Sequence, residues 1–270
     1  MIDRHPFPTK SNRRWRGWRR FGRPLGVFVL VLFTLQGVFA LRIALMTVFD
    51  PRSTTFQRSE VWRLLRADGR MRWRQQWVDY DHISPHLKRA VIASEDAGFA
   101  EHSGVEWDAI ENAWERNLRA EAMAARTDAR AERREAEGSA RALPRSQPRI
   151  VGGSTITQQL AKNLFLSGER SVVRKAQEFV LTLMLEALLT KQRILEIYLN
   201  SVEWGEGVFG AQAAARHYFG VDAQHLSPVQ AARLAVMLPA PKRFEKRPGS
   251  AYVTGRAATI VARMPTVELP

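Results

Sequence analysis

Two adjacent acids, Glu95 and Asp96, end an apolar stretch that has the spacing of a buried helix face. Apolar residues recur at helical intervals from 87 to 94 and deliver Glu95 to the C-terminal end of the helix. A negative charge there opposes the helix dipole at a cost of about 0.3–1 kcal/mol. An acidic pair at a helix end is most often an ordinary surface feature. A carboxylate in this disfavoured place, followed by Phe99 and His102, also suggests a functional site that shifts its pKa.

A second group of polar residues follows the pair Gly152-Gly153 in the segment GGSTITQQLAKN. Thr155, Gln159 and Lys162 lie at i, i+4 and i+7, so a helix would place them along one face. Ser154 or Thr155 can cap that helix, and the N–H groups exposed at its start attract phosphate. The same pattern is also that of a generic amphipathic helix after a glycine hinge.

The segment RKAQE places Arg174 and Lys175 within one helical turn of Glu178. Such spacing is compatible with a surface ion pair worth about 0.3–0.5 kcal/mol. However, Glu178 heads the apolar run 179–185, where a carboxylate is costly unless it is paired, binds a cation or takes part in a reaction. We therefore keep Glu178 as a second candidate carboxylate.

Helix start signals place these residues mainly on helices. Ser84-Pro85, Thr190 and Ser227-Pro228 each precede a helical segment, as a capping residue or a proline at the first position does. The run VRKAQEFVLTLMLEALL is apolar nearly all round, which predicts a central buried helix. By contrast, RMRWRQQWVDY alternates weakly, as a strand would. The sequence predicts a mainly α-helical fold.

The charge of the chain points to an anionic partner. Its 270 residues carry a formal net charge of +14 and no cysteine, which excludes disulfides and thiolate catalysis. Much of the excess charge lies before residue 25, directly ahead of the uncharged segment LGVFVLVLFTLQGVFAL. That placement predicts contact with anionic membrane lipids and no nucleic-acid partner.

The apolar segment 25–49 is long enough for a membrane anchor, since a spanning helix needs about 20 residues and at least roughly 17. Arg42 interrupts it where its side chain could reach the interface. A cleaved signal peptide and a buried core helix are the alternatives, but the run exceeds the usual apolar region of a signal peptide. Because the basic flank comes first, we expect residues 1–24 to stay in the cytoplasm and residues 50–270 to lie outside it.

Residues 118–149 differ from the rest of the chain in composition. Ala, Arg and Glu dominate, large apolar residues are almost missing, and Pro144 and Pro148 close the segment. The composition predicts a charged insertion, either a solvated helix or a mobile loop, that adds little to a hydrophobic core.

The order and spacing of these motifs resemble glycosyltransferase family 51, the peptidoglycan glycosyltransferases. The acidic pair is followed by GGST-x-TQQL-x-KN, RK-x-x-E and ILE-x-YLN, and the segment EWGEGVFGAQAAARHYFG through LPAPKRF resembles the monofunctional, membrane-anchored branch. The resemblance covers residues 50 to 265 and leaves no stretch for a transpeptidase domain. It implies a lysozyme-like helical fold that polymerises lipid II into glycan strands at the bacterial inner membrane, with the catalytic domain in the periplasm.

The resemblance also implies roles for individual residues. The family motif ED-x-x-F-x-x-H-x-G begins with its general base, which here is Glu95, and the third motif supplies Glu178 as the second catalytic carboxylate. The remaining matched positions are expected to bind the substrate: Asp96, Phe99, His102, Thr155, Gln159, Lys162, Asn163, Arg174 and Lys175.

These residue types fit the implied reaction. Glu95, with a raised pKa, can take the proton of the acceptor hydroxyl. The lipid pyrophosphate leaving group needs charge neutralisation, which Lys162, Arg174 and Lys175 supply, and attack opposite to it inverts the anomeric centre. One carboxylate alone is a poor site for a cation, so we expect that the reaction requires no cofactor or metal. Binding of a divalent cation such as Mg²⁺ near Glu178 is kept as an alternative.

The sequence departs from the family pattern in two places. Glu106 stands where the family usually has Asp, and the 118–149 insertion is longer than the expected loop between the first two motifs.

Two rival functions stay open beside this interpretation. A muramidase-like hydrolase on the same fold would have little use for the cations. A non-catalytic membrane scaffold of a cell-wall complex would need neither Glu95 nor Glu178. Proteins of cell-wall synthesis or division are candidate recruiting partners.

Overall fold

The computed structural model describes residues 13–69, 73–107, 154–166, 168 and 171–270, together with isolated positions between 111 and 127. Residues 1–12 of the predicted tail and residues 128–149 of the predicted insertion lie outside the described residues. The positions of the insertion that are described, between 118 and 127, are helical.

A long N-terminal helix, α1, spans Arg13–Leu45. Its part Pro24–Leu45 is long and apolar enough to cross a membrane, judged by length and composition. The helix ends four residues before the predicted end of the anchor, and Ile43 and Met46 lie in the hydrophobic core of the following domain. Arg42, which we expected at the interface, lies over the ring of Phe165 at 5.2 Å.

The remaining elements form a mainly α-helical domain, as predicted. In chain order they are α2 Thr55–Asp68, β1 Arg74–Gln75, α3 Pro85–Glu95, α4 Ile156–Phe165, α5 Val172–Leu188, α6 Lys191–Ser201, β2 Glu203–Gly205, β3 Val208–Phe209, α7 Ala211–Phe219, α8 Pro228–Met237, α9 Pro241–Phe244 and α10 Ala251–Arg263. Short 3₁₀ turns occupy Tyr80–His82, Ala223–His225 and Met264–Thr266.

The predicted helix starts are confirmed. The side chains of Ser84, Thr155, Thr190 and Ser227 each accept a hydrogen bond from a backbone N–H in the first turn of the helix that follows. These bonds satisfy donors that have no partner within the helix. The starts of α3, α4, α6 and α8 are therefore fixed by local sequence.

The described strands make one small sheet in the order β1-β3-β2. Strand β1 pairs in parallel with β3, with Arg74 opposite Val208, and β2 pairs antiparallel to β3. The strand predicted in RMRWRQQWVDY is thus reduced to Arg74–Gln75 in the described residues.

The hydrophobic core lies between two groups of helices. Helices α3, α8 and α10 pack against one another, while α4 packs against α2, α5 and α6. Leu87 of α3, Leu160 of α4 and Tyr198 of α6 are fully buried within this core. The core therefore joins the end of α3 to α4, which brings the first two sequence motifs together.

The prediction that the run 173–189 forms a central buried helix is wrong. Helix α5 packs on α4 and α1 through one side, where Leu181 and Leu185 are buried. Phe179 and Leu183 on other faces are 38% and 45% exposed. Apolar residues all round a helix do not distinguish a central helix from one that has a second apolar surface outside the core.

Candidate active site

Glu95 is placed by the capped start and the buried face of α3. Ser84 accepts a hydrogen bond from the backbone of His86, and the helix ends at Glu95 with Asp96 as its C-cap. The Glu95 side chain is partly buried, and this burial raises its pKa, with the charge of Asp96 adding to the effect. The carboxylate is therefore easier to protonate than an exposed one, as a general base near neutral pH requires.

A relay of hydrogen bonds fixes the orientation of Glu95. Gln159 Nε2 donates to Glu95 Oε2 at 2.9 Å, and Tyr198 Oη donates to Gln159 Oε1 at 3.0 Å. Burial raises the pKa of Tyr198 well above its ordinary value, so this hydroxyl stays protonated. Because the tyrosine occupies the amide oxygen of Gln159, the amide nitrogen must face the carboxylate.

Asp96 and His102 form a buried network that joins the first two motifs. His102 Nε2 lies 2.7 Å from Asp96 Oδ1, and Ile156 N donates to Asp96 Oδ2 at 2.9 Å. The backbone N–H of Gly104 donates to His102 Nδ1, so Nε2 carries the proton given to Asp96. Thr155 Oγ1 donates to Gly104 O at 2.6 Å, which ties the start of α4 to the same loop.

Glu178 lies between two cations on α5. Arg174 Nη1 contacts Glu178 Oε2 at 3.0 Å, and Lys175 Nζ pairs closely with Glu178 Oε1. The carboxylate is only 4% exposed, so the ion pairs offset the cost of burying it. Two cations around one anion leave a net positive charge at this end of the site.

The ammonium of Lys162 interacts electrostatically with both Glu95 and Glu178. The surrounding protein desolvates its ammonium and lowers its pKa, while the charges of Glu178 and Glu95 act in the opposite direction. Within the described residues, the ammonium of Lys162 has no hydrogen bond or ion pair. Its charge is therefore available to an anionic ligand.

A small recess of about 150 Å³ opens beside Glu178 and is mostly apolar. Trp107 and Phe179 form part of its wall, with ring centroids 6.3 Å apart. The remaining lining residues are Val105, Gln158, Lys175 and Glu178. The cation cluster thus borders a surface suited to an apolar chain.

Four of the predicted substrate-binding residues are enclosed by protein: Asp96, Phe99, Thr155 and Asn163. Asp96 is 4% exposed, and Phe99 is fully buried beneath the ammonium of Lys191, at 4.6 Å from its ring centroid. Asn163 is 8% exposed, and its amide has no hydrogen-bond partner in the described part of the chain. Contact of these residues with substrate stays a prediction.

One group in the described residues has ligand types that could hold a metal ion. The side-chain ligand atoms of Asp96, His102 and Glu106 lie within 4.8 Å of one another. Both ring nitrogens of His102 and both oxygens of Asp96 already have hydrogen-bond partners, so the group does not fit a metal without breaking this network. Glu178 is surrounded by cations, which also disfavours a metal there.

Some supporting residues were not found by sequence reasoning. Tyr198 orients Gln159, and it lies inside the quoted motif ILE-x-YLN, which was the available signal. Glu186 accepts hydrogen bonds from Thr157 and Lys191 at 2.5 and 2.8 Å. Lys191 also donates to the carbonyl of His102. No motif in the sequence distinguishes Glu186 from an ordinary helix acid.

The chain is similar to a known family of cell-wall enzymes. Residues 64–126 and 135–265 match the family model described as Transglycosylase. The match breaks only between residues 126 and 135, inside the predicted insertion 118–149.

Similar proteins with curated names share one description, biosynthetic peptidoglycan transglycosylase. The protein from Burkholderia pseudomallei is 52% identical over 246 residues, which is 91% of this chain and 86% of that protein. The protein from Bordetella avium is 46% identical, over 95% of this chain and 98% of its own length. The one from Bordetella pertussis is 45% identical, over 97% and 99% respectively.

Proposed function

This chain belongs to the transglycosylase family, and we propose that it polymerises lipid II into peptidoglycan glycan strands by inverting glycosyl transfer. The observation that carries this proposal is the pairing of a desolvated, oriented carboxylate with a separate cation cluster across α4. The names of the similar proteins support the same activity.

We assign the role of general base to Glu95. The acceptor hydroxyl oxygen attacks the anomeric carbon of the donor sugar, and Glu95 takes the hydroxyl proton. Gln159 donates to one carboxylate oxygen, so the other is free to accept that proton. The raised pKa of Glu95 strengthens it as a base toward a weakly acidic hydroxyl.

The leaving group is held by the cations of α4 and α5. The bond between the anomeric carbon and the phosphate oxygen breaks, and its electron pair leaves with the pyrophosphate. Lys162, Arg174 and Lys175 neutralise the charge that develops there. Glu178 holds two of these cations in place through its ion pairs. The apolar recess beside Glu178 suits the lipid chain of the donor.

This mechanism requires no cofactor, since the proton acceptor and the counter-charges all come from side chains. The cations already satisfy Glu178, so a divalent ion such as Mg²⁺ would have to compete with Arg174 and Lys175. We propose that added metal changes the rate modestly and is not essential.

The apolar helix Pro24–Leu45 fits a membrane anchor. We propose that the chain crosses the cytoplasmic membrane once, with its N-terminus inside and the catalytic domain in the periplasm. This places the site on the side where glycan strands are assembled, and leaves anionic lipids and cell-wall proteins as partners of the basic tail and the domain surface.

Incubation of the purified full-length protein with lipid-linked disaccharide tests the function. We expect a glycan polymer and released lipid pyrophosphate, and formation of both products about 10²–10⁴-fold more slowly by the matched Glu95→Gln variant. Shortening of preformed glycan strands would instead indicate a muramidase-like hydrolase. Absence of both polymer and fragments, with a folded protein, would favour the non-catalytic scaffold.

A further inference from the structure

We propose that a hydrogen-bonded pair between the anchor helix and α5, formed by Gln36 and Gln177, positions Glu178 and its cations for the reaction. The inference rests on the proposed function, because it assigns positioning residues to that reaction. It gives α1 a part in the active site in addition to its part as an anchor.

The pair is reciprocal. Gln36 Nε2 donates to Gln177 Oε1 at 2.9 Å, and Gln177 Nε2 donates to Gln36 Oε1 at 3.0 Å. Two simultaneous bonds fix the rotation of both amides, so the contact defines one register between α1 and α5. An unpaired amide in an apolar helix is costly, and interhelical bonds between polar side chains hold helices together in a membrane.

The position of Gln177 on α5 connects this pair to the site. Gln177 directly precedes Glu178, and successive residues of a helix point about 100° apart. Gln177 therefore faces α1 while Glu178 faces the site with Arg174. A rotation or slide of α5 moves the amide and the carboxylate together.

The anchor helix also contacts α4, which carries Lys162 and Gln159. Phe39 of α1 meets Phe165 of α4 edge-on, with ring centroids 5.4 Å apart, and Arg42 lies over the same ring at 5.2 Å. Since α1 touches both helices that supply the cations, it sets their placement relative to each other.

The end of α1 is held firmly enough to serve this purpose. Ile43 is fully buried in the core, and Arg193 Nε donates to Met46 O at 2.7 Å. Arg193 also pairs with Asp50 at 2.7 Å. Gln36 lies about two helical turns before Ile43, so it extends from a fixed base.

The chain offers a matched control on the same helix. Thr34 is polar and lies two residues from Gln36, but its hydroxyl donates to Leu30 O within α1. A change that acts only through the polarity or insertion of the anchor should affect Thr34→Val and Gln36→Leu alike. A change that acts through α5 should affect Gln36→Leu alone.

The first experiment compares four full-length variants in lipid bilayers: Gln36→Leu, Gln177→Leu, the double variant and Thr34→Val. We expect each single glutamine variant to raise KM and lower kcat/KM for lipid-linked disaccharide by about 3- to 15-fold, the worth of one interhelical hydrogen bond. The double variant should be no worse than either single one, and Thr34→Val should stay within about twofold of wild type. The acid limb of the pH–rate profile, which reports Glu95, should not move.

The second experiment uses the absence of cysteine in the natural chain. Cysteines introduced as Gln36→Cys and Gln177→Cys are the only thiols, and a short bismaleimide can link them within one molecule. We expect the unlinked pair to show the same loss as the leucine variants and the linked pair to recover most of it. This measurement remains decisive if a leucine variant fails to fold.

Three results would overturn the inference: multiplicative losses in the double leucine variant, a linked pair that stays as slow as the unlinked one, or single glutamine variants as active as wild type. A wild-type protein that makes no polymer would instead refute the proposed function. Wild-type polymerisation with unaffected glutamine variants would refute only the positioning role.

Discussion

Glu95 and Glu178 have opposite electrostatic surroundings, and this difference separates their roles. Burial and a neighbouring acid raise the pKa of Glu95, while two cations surround Glu178. A carboxylate with a raised pKa suits proton transfer, and one that is paired with cations suits the organisation of charge.

Replacing each carboxylate by its amide tests this assignment. Glu95→Gln should leave substrate binding nearly intact and lower turnover by about 10²–10⁴-fold, the usual worth of general base catalysis. Glu178→Gln should weaken both turnover and apparent affinity, because Arg174 and Lys175 lose their common partner. Binding of the lipid substrate and initial polymerisation rates should be measured side by side. Retention of more than about a tenth of wild-type turnover by Glu95→Gln would exclude Glu95 as the base.

The dependence of rate on pH should carry the same information. The base must be ionised, so kcat/KM should rise as Glu95 loses its proton, at a higher pH than the ordinary glutamate value of 4.5 because its pKa is raised. Lys162 must be charged, and its lowered pKa should bring the alkaline decline below the ordinary lysine value of 10.5. A profile of kcat/KM against pH checks both limbs. Lys162→Arg, which keeps its charge, should move the alkaline decline upward.

The raised pKa of Glu95 also affects stability. The folded protein holds this proton more tightly than the unfolded chain, so the resulting stabilisation is fully present below the unfolded pKa and is lost as pH rises through the folded one. Ionised Glu95 therefore lowers the free energy of unfolding at neutral pH. Glu95→Gln should raise Tm near neutral pH, with the gain disappearing at about pH 4. A gain of equal size at both pH values would show that charge is not its cause.

Sequence motifs anticipated which residues meet at the site but not how they are held. Glu95, Gln159 and Lys162 were predicted from type and spacing, and the structure places all of them along the end of α3 and the face of α4. The Asp96–His102 network depends on a loop folding back onto α4. That long-range contact leaves no periodic signal in the sequence.

Among the elements, those with local start signals were predicted and those defined by tertiary contacts were not. The helix α2 was missed although Thr54 and Gln57 form a capping box and Val61, Leu64 and Leu65 recur at helical spacing. The prediction for α5 failed because its environment cannot be read from apolar content. A helix that packs on the core through one side and a helix at the centre of the core can have the same apolar sequence pattern.

Thr155 provides a test at the start of α4. Its hydroxyl caps the helix by accepting from Gln158 N and donates to Gly104 O. Thr155→Val removes both bonds. The loss of a helix cap costs roughly 0.5–2 kcal/mol, so this variant should lower the free energy of unfolding by at least that amount. Thr155→Ser keeps the hydroxyl and should lose much less. Urea unfolding of the two variants decides; equal losses would show that the methyl group, not the hydroxyl, stabilises this junction.

For the whole molecule, the sequence predicted an apolar anchor followed by a helical domain, and treated the two as separate. The structure packs α1 against α4 and α5, with Ile43 inside the core of the domain. Sequence periodicity describes one helix at a time. It cannot predict the contact between Gln36 and Gln177, which are 141 positions apart. The anchor and the domain are therefore one folded unit.

Charge asymmetry predicts how that unit would be oriented in a membrane. Basic residues precede Pro24–Leu45, and positively charged flanks stay in the cytoplasm. A phosphatase that folds only outside the cytoplasm, fused after residue 60, should be active, and a fluorescent protein that folds only inside should be dark. Replacing the arginines at 13, 14, 16, 19, 20 and 23 by glutamine should weaken the preference for this orientation.

N-terminal sequencing of the mature protein should begin near Met1, because the apolar run exceeds that of a signal peptide. A mature start at Leu41 would show that the segment is removed, and α1 could then hold neither the domain at the membrane nor Gln177.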